Sequence, residues 1–443
     1  MDQPGAGPKP SLVDALCASG AGAEMYAFAQ TLYPICRSIT GPGARATLDL
    51  IGERIPLDRT ETPSGTQVLD WTVPNEWSIR DAYIKNAAGE RVVDFHKHNL
   101  HVLNYSAPIR ARMPLAELKR HIFTLPDRPD VIPYRTSYYE ERWGFCMSHA
   151  AREALPDGEY EVVVDSTLSP GALSYGEHVH RGASEDEVLL ATHICHPSLA
   201  NDNCSGMALL VQLAVAMAPL RTRYTYRFLF APGTIGAITW LARNDSSAHR
   251  IKRGLVLSCA GDGGGPTYKR TRRGDAPIDR AMAHVLAHVA PQSNVIDFSP
   301  YGYDERQFNS PGFKLDVGLF QRSQFATFPE YHTSADDLSF IAPEHLEFSL
   351  RIVANAIDVL ERDRRWLNTA PKGEPQLGKR GLYHAIGGDS GSYAKNMAML
   401  WVLNLSDGEH TLLDIAERAR MPFAVVADVA DVLAQNGLLS HAE

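Results

Sequence analysis

The chain has 443 residues, 44% of them hydrophobic and 21% charged, with a formal net charge of -9. That length allows two or three domains around substantial cores, and the acidic balance disfavours nucleic acid or an anionic membrane as partner of the whole chain. No run approaches the ~20 apolar residues of a membrane span. The opening MDQPGAGPKPS lacks the basic-then-apolar order of a secretory signal, and Cys17, Cys36, Cys146, Cys195, Cys204 and Cys259 show no paired spacing, so a reduced, cytoplasmic setting is expected.

Residues 1–22, rich in Gly, Pro and Ala, are expected to form a disordered tail. A helix follows from about Glu24, with Met25, Phe28, Ala29 and Leu32 on one face, and Pro34 ends it. Thr40-Gly41-Pro42-Gly43 reads as a turn before a second helix, Ala44 to Ile55. From 59 to 166 short strand-like pieces alternate with turns: 67–71, 83–84, 92–95, 101–103 and 160–165, with Asn86 to Gly89 as a hairpin turn. This predicts an inserted β-rich domain. His96, His98 and His101 fall within it, and a solvated loop accounts for them more simply than a metal site does.

Strands and helices then alternate. Strands are predicted at 188–191, 224–231, 254–259 and 317–320, and helices from Gly206, at 235–243, 278–290 and 342–360. The pattern implies an α/β domain over 23–58 and 167–371, a three-layer αβα sandwich around a mostly parallel sheet. Residues 372–388 read as a Gly-rich connector. The stretch 389–443, with helices at 393–403, 411–419 and 423–435, reads as a winged helix. Its three basic residues against eight acidic ones leave a net charge of -5, the wrong sign for gripping phosphates.

Four residues carry the chemical argument. His193 ends the apolar run Val188-Leu189-Leu190-Ala191, and Asp202 lies in the loop before the next helix. Open α/β sheets bind ligands beyond such strand ends. Asp262 is expected at the end of the strand 254–259, and His332 in the loop after the strand 317–320. Singly, each has a plainer reading as a helix cap or a hydrogen-bonded neighbour. Together, two imidazoles and two carboxylates at neighbouring sheet edges suit zinc, one ion or two, with water completing the coordination. Asp336 or Asp337 would orient His332. Cys195 beside His196 is a candidate nucleophile, although a small buried residue is the plainer account of it.

These motifs resemble the zinc-dependent aminopeptidases with a phosphorylase/hydrolase-like fold. There, a strand-end histidine matches His193, a metal-bridging aspartate before an N-x-S-G helix start matches Asp202, a later aspartate matches Asp262, and a Tyr-His-Thr matches Tyr331-His332-Thr333. From about residue 25 onward the chain is similar to an aminopeptidase-like subgroup sharing YPICRSITG (33–41), RTSYYEERWGF (135–145), THICHPSLANDNCSG (192–206), DERQF (304–308), YHTSADDL (331–338) and DSGSYAKNMAMLWVLNLSDG (389–408). The resemblance implies the β-rich insertion and the winged helix, and hints at polysaccharide or specialised-metabolite biosynthesis.

One departure bears on activity. The aminopeptidases carry a Glu-Glu pair after the strand corresponding to 224–231, whereas this chain has Pro232-Gly233-Thr234. Gly233 thus stands where the resemblance implies the general base, worth typically ~10²–10⁴-fold in rate. Glu305 or Glu330 could replace that carboxylate, although surface solvation or pairing with Arg306 or Arg322 is the simpler account of both. Arg306 and Arg322 could hold a substrate carboxylate, with Tyr331 beside them. The expected function is zinc-dependent hydrolysis or remodelling of an amide or related bond in a small amino-acid-containing or short peptide-like molecule. The alternative is a catalytically impaired ligand-binding or scaffold protein on the same fold. Neither nucleic acid nor membrane is an expected partner, and the winged helix is expected to pack within the chain or on another copy.

Overall fold

A computed structural model describes residues 11–382 and 390–442. The chain divides into two compact units, one built from 15–274 and 294–350, the other from the described residues of 1–14, 275–293 and 351–443.

The larger unit is organised on an eight-stranded mixed sheet. Its order is Asp58–Pro63, Ala172–His180, Thr225–Ala231, Glu187–His193, Ile251–Leu257, Val317–Gln321, Thr267–Lys269, Asn294–Ile296. The middle four strands, from Thr225–Ala231 to Val317–Gln321, run parallel. The pairs beyond them on either side are antiparallel, except the last, which is parallel again. The site lies at the ends of the central parallel block. All seven residues of Glu187–His193 are buried, as expected of a central strand covered on both faces. The helix Gly206–Met217 follows it and is buried along ten of its twelve residues, while Ala21–Leu32 turns Met25, Phe28, Ala29 and Leu32 inward.

The predicted β-rich stretch contains a four-stranded antiparallel sheet, ordered Arg91–Asp94, Glu76–Lys85, Glu159–Ser169, Ile109–Pro114. Its boundary shifts, because Asp58–Pro63 pairs with Ala172–His180 in the large sheet. The inserted part thus begins after Pro63. Within it, 67–71 is a tight hairpin of two-residue strands, and 101 lies in a 3-10 turn rather than a strand. His96 is exposed, but His98 and His101 are half-buried, with Nδ1 atoms accepting from Leu100 N–H and facing Cys146 O respectively. They are packed groups, not solvated ones. At the N-terminus, Leu12–Leu16 is helical with Leu16 buried, and the next helix already starts at Ala21. Of the expected tail, 11–22 is therefore largely structured, and 1–10 lies outside the described residues.

In the smaller unit, three helices, Ser390–Leu405, Leu412–Ala419 and Phe423–Gln435, accompany a three-stranded sheet ordered Asp407–Thr411, Arg365–Asn368, Leu439–His441. The central strand precedes the predicted start at 389. The winged helix thus begins near 364, and the predicted connector falls inside it; residues 383–388 of that connector lie outside the described residues. Thr411 caps the second helix through a reciprocal box with Asp414. Arg280 binds Asp414 and Glu417, and Arg362 binds Asp428 and Asp431, so four of the acidic side chains in this unit are already partnered.

Candidate metal centre

His193 is the last residue of its strand, and the loop after it folds back so that the Asp202 carboxylate lies against the imidazole. His193 Nε2 is 2.8 Å from Asp202 Oδ1, and His332 Nε2 is 3.1 Å from Asp202 Oδ2. His193 and Asp202 are 1% and 0% exposed. His196 completes the group, its ring centre 4.7 Å from His193 and 5.2 Å from His332. Ligand atoms of His193, His196 and Asp202 lie within 4.8 Å of one another. Burial drives the His196 imidazole well below its ordinary value, which leaves it in the neutral form that ligates metals.

The loop is held by its own backbone. Asp336 Oδ1 and Oδ2 accept from Asn201 N at 2.6 Å and Asp202 N at 2.9 Å. Asn203 Nδ2 donates to Thr192 Oγ1 and to His193 O. Gly206 is required beyond it, since a Cβ there would lie 2.3 Å from Asn203 Oδ1 and 2.7 Å from Leu257 O. Around the imidazoles, Tyr303 stacks on His193 at 4.8 Å and 18°, and Tyr331 on His332 at 4.0 Å and 11°. Ser198, Thr234, Cys259 and His332 all have positive φ, a conformation tolerated by non-glycine residues mainly where the surroundings over-determine it.

The donor set fits zinc. Bonds of about 2.0 Å at a tetrahedral angle set ligand atoms about 3.3 Å apart, close to the two contacts of Asp202. A carboxylate with one oxygen toward each of two imidazoles also has the arrangement of a bridging ligand. His193, Asp202, His332 and His196 are the residues that would hold the ion or ions.

Asp262 does not join them. Its strand ends at Leu257, and the carboxylate five residues later accepts from Asn201 Nδ2 at 2.8 Å, Gly264 N at 2.6 Å and Ser323 Oγ at 2.6 Å. These donors consume its lone pairs, so it braces the loop beside Asp202. Asp336 likewise grips the backbone of that loop and not the His332 ring. Cys195 fits the plainer reading of a small buried residue: it is 2% exposed, burial pushes its thiol up to about 12, and Sγ accepts from Gly233 N at 3.2 Å.

A cavity of about 420 Å³ opens beside the imidazoles. Trp71, Tyr138, Tyr139, Tyr301, Phe325 and Tyr331 make much of its wall, with Gly233, Asp304 and Arg306. A Cβ on Gly233 would meet Cys195 Sγ at 3.3 Å and His193 Cβ at 3.6 Å, so this position does face the site. Of the other predicted residues, Arg306 and Tyr331 line the cavity, but Arg322, Glu305 and Glu330 do not. Arg322 is buried against the Phe348 ring. Glu305, 0% exposed, is locked to Lys269 Nζ at 2.8 Å. Glu330 is represented locally by its carbonyl, which accepts from Thr333. Sequence reasoning passed over Asp304, which is 5% exposed and accepts from Thr234 N at 2.6 Å. Burial pushes its carboxyl up to about 6, with His193 and the Thr234 N–H opposing. It also underrated His196, for which the His193-x-x-His196 spacing was the available signal.

Fold and site together define an aminopeptidase-like α/β protein. A zinc aminopeptidase from Bacillus subtilis shares the fold, with TM-score 0.57 and 14% identity over 76% of this chain and 93% of that one. The chain belongs to the family described as a domain of unknown function, DUF4910, which matches residues 26–363, and a winged helix-turn-helix family matches 364–441. A candidate polysaccharide biosynthesis protein with an aminopeptidase-like domain, from Clostridium acetobutylicum, is 50% identical over 421 residues, 95% of this chain and 97% of that protein. The crystal structure of a candidate peptidase from Clostridium acetobutylicum matches with TM-score 0.92 and 48% identity, over 97% of this chain and 98% of that one. No helix among the described residues is long and apolar enough to cross a membrane.

Proposed function

We propose that this protein is a zinc-dependent hydrolase acting on an amide or related bond of a small, amino-acid-containing molecule. The observation that carries this reading is the fully buried Asp202, whose two oxygens each meet one imidazole. A buried carboxylate with an imidazole nitrogen at each oxygen is poised to share a cation with both rings. Bound there, zinc would polarise a carbonyl and make water a better nucleophile. The protein's own contribution is to fix the imidazoles by ring stacking, to keep His196 neutral, and to shape an aromatic-walled cavity beside them. The cysteines are all free, in keeping with a reduced, cytoplasmic setting. The aminopeptidase-like domain named in the Clostridium acetobutylicum relative supports an amide substrate, and the polysaccharide biosynthesis in that relative's name supports a step in polysaccharide assembly. Pairing of the acidic winged-helix residues with Arg280 and Arg362 favours a packing role over nucleic-acid binding.

The test is elemental analysis of the purified protein, followed by assays on a panel of aminoacyl amides and aminoacyl sugars before and after chelation. Stoichiometric zinc, and activity lost with chelator and regained with zinc, are expected. Absence of zinc binding by the wild type together with unchanged behaviour of Asp202→Ala would refute the reading. A zinc-loaded protein inert on every amide would favour the alternative of a ligand-binding protein, which Gly233 already suggests.

A further inference from the structure

The cavity beside the imidazoles needs a proton acceptor if it hydrolyses anything, and its geometry leaves one. Among the described residues that line it, Asp304 is the sole carboxylate. Oδ1 is fixed by Thr234 N at 2.6 Å, and the other oxygen has no hydrogen bond among the described residues, although Asp304 is only 5% exposed. The other candidate bases nearby are imidazoles and a carboxylate that the ion would occupy, or a glutamate that a lysine already holds. His193 Nε2 and His332 Nε2 meet Asp202, His196 Nδ1 is 3.4 Å from Cys195 Sγ, and Glu305 is held by Lys269. The Thr234 N–H belongs to the loop of Gly233, which has no side chain to reach the site. That loop therefore presents a carboxylate after all, borrowed from residue 304 and fastened by its backbone.

We propose that Asp304 accepts the proton of the attacking water in the hydrolysis proposed above, on which this inference rests. As the water oxygen bonds to the carbonyl carbon, one of its protons goes to the unpartnered oxygen of Asp304. When the carbon–nitrogen bond breaks, that proton passes to the departing nitrogen. One amide and one water give one acid and one amine, and Asp304 ends as the carboxylate it began as. A carboxylate in this role must lie within hydrogen-bond reach of the water, and the 5% exposure of Asp304 strengthens such a charged contact.

The experiment is calorimetric titration of zinc-loaded protein with leucine hydroxamate, whose hydroxyl stands where the attacking water would. Asp304→Asn keeps an acceptor for Thr234 N but removes the charge. Unchanged zinc stoichiometry and melting temperature, with hydroxamate binding weakened roughly 10- to 100-fold, are expected for a lost charged hydrogen bond. If the amide variant fails to fold, Asp304→Ala takes its place under the same criteria. Equal hydroxamate affinity would overturn the proposal, and so would loss of zinc in the variant, which would make Asp304 a ligand. A wild type that binds zinc but no hydroxamate overturns it while leaving the metal centre standing. A wild type that binds no zinc removes the hydrolase reading and this inference with it.

Discussion

Replacing Lys269 by Met tests whether the loop that carries Tyr303 and Asp304 is held by a buried charge. Lys269 is 1% exposed and donates to Glu305 Oε1 and Tyr301 O, both at 2.8 Å. Glu305 is 0% exposed and its Oε2 has no hydrogen bond. Lys269→Met leaves that fully buried carboxylate without its counter-charge. It can stay ionised, at the ~3–5 kcal/mol typical of a broken buried pair, or take up a proton. Protonating an ordinary glutamate takes about 3.7 kcal/mol at pH 7 and about 1 kcal/mol at pH 5. The cheaper route sets the outcome: a loss of about 3–4 kcal/mol at pH 7, shrinking toward about 1 kcal/mol at pH 5. The sign follows because the variant's folded state gains a proton that the unfolded chain releases as pH rises. Urea unfolding at both pH values measures it, and Lys269→Met/Glu305→Leu should recover most of the loss, since an apolar pair has no charge to strand. A loss under 1 kcal/mol at pH 7, or one that ignores pH, would refute this account of the loop.

Four further outcomes are expected. Burial holds His98 down to about 4, with His101 adding to the effect and Asp337 opposing it. The unfolded chain thus binds a proton that the native state refuses between pH 6.5 and about 4, and stability falls as pH falls through that window. Denaturant melts should show about 1–2 kcal/mol of this between pH 7 and 5 after allowance for partial solvent screening, and His98→Asn should lack it. Thr411→Ala removes the acceptor for Asp414 N at 3.2 Å and should lower the stability of the winged helix by about 1 kcal/mol, read by calorimetry. Gly206→Ala should fail to accumulate as folded protein in expression and melting assays, because its Cβ meets a backbone carbonyl, whereas Gly233→Ala should melt within about 1 kcal/mol of wild type, its one tight neighbour being the Cys195 sulfur.

Elements built on continuous pattern were legible in the sequence. The run of apolar residues before His193 could hardly be anything but a central strand, and the stretch after Gly206 is apolar on nearly every face. His193, Asp202 and His332 were each found from a strand end or a loop, and the structure brings them together. Asp262 was misjudged because the expected strand ran on through Ser258 and Cys259, past its true end at Leu257, and because no local pattern reveals that Asn201 and Ser323 would saturate it. Asp304 was invisible for a related reason. It precedes a four-residue helix, Glu305–Phe308, too short to show a period, and its meaning comes from Thr234, seventy residues away. The first strand of the winged helix, Arg365–Asn368, is similarly brief and is separated from its partners by a long stretch without periodic pattern.

The grip of Asp336 on the Asn201 and Asp202 amides has a bearing on which metals the protein would accept in a cell. With the main chain on either side of Asp202 tied down, and two rings wedged by tyrosines, the opening among the donors cannot widen much. Calcium, which prefers six to eight oxygens at about 2.3–2.6 Å, would find too few partners set too close together. Cobalt, nickel and copper have a taste for imidazole similar to that of zinc, so a rigid cradle does little to turn them away, and which of them occupies it would be decided by supply.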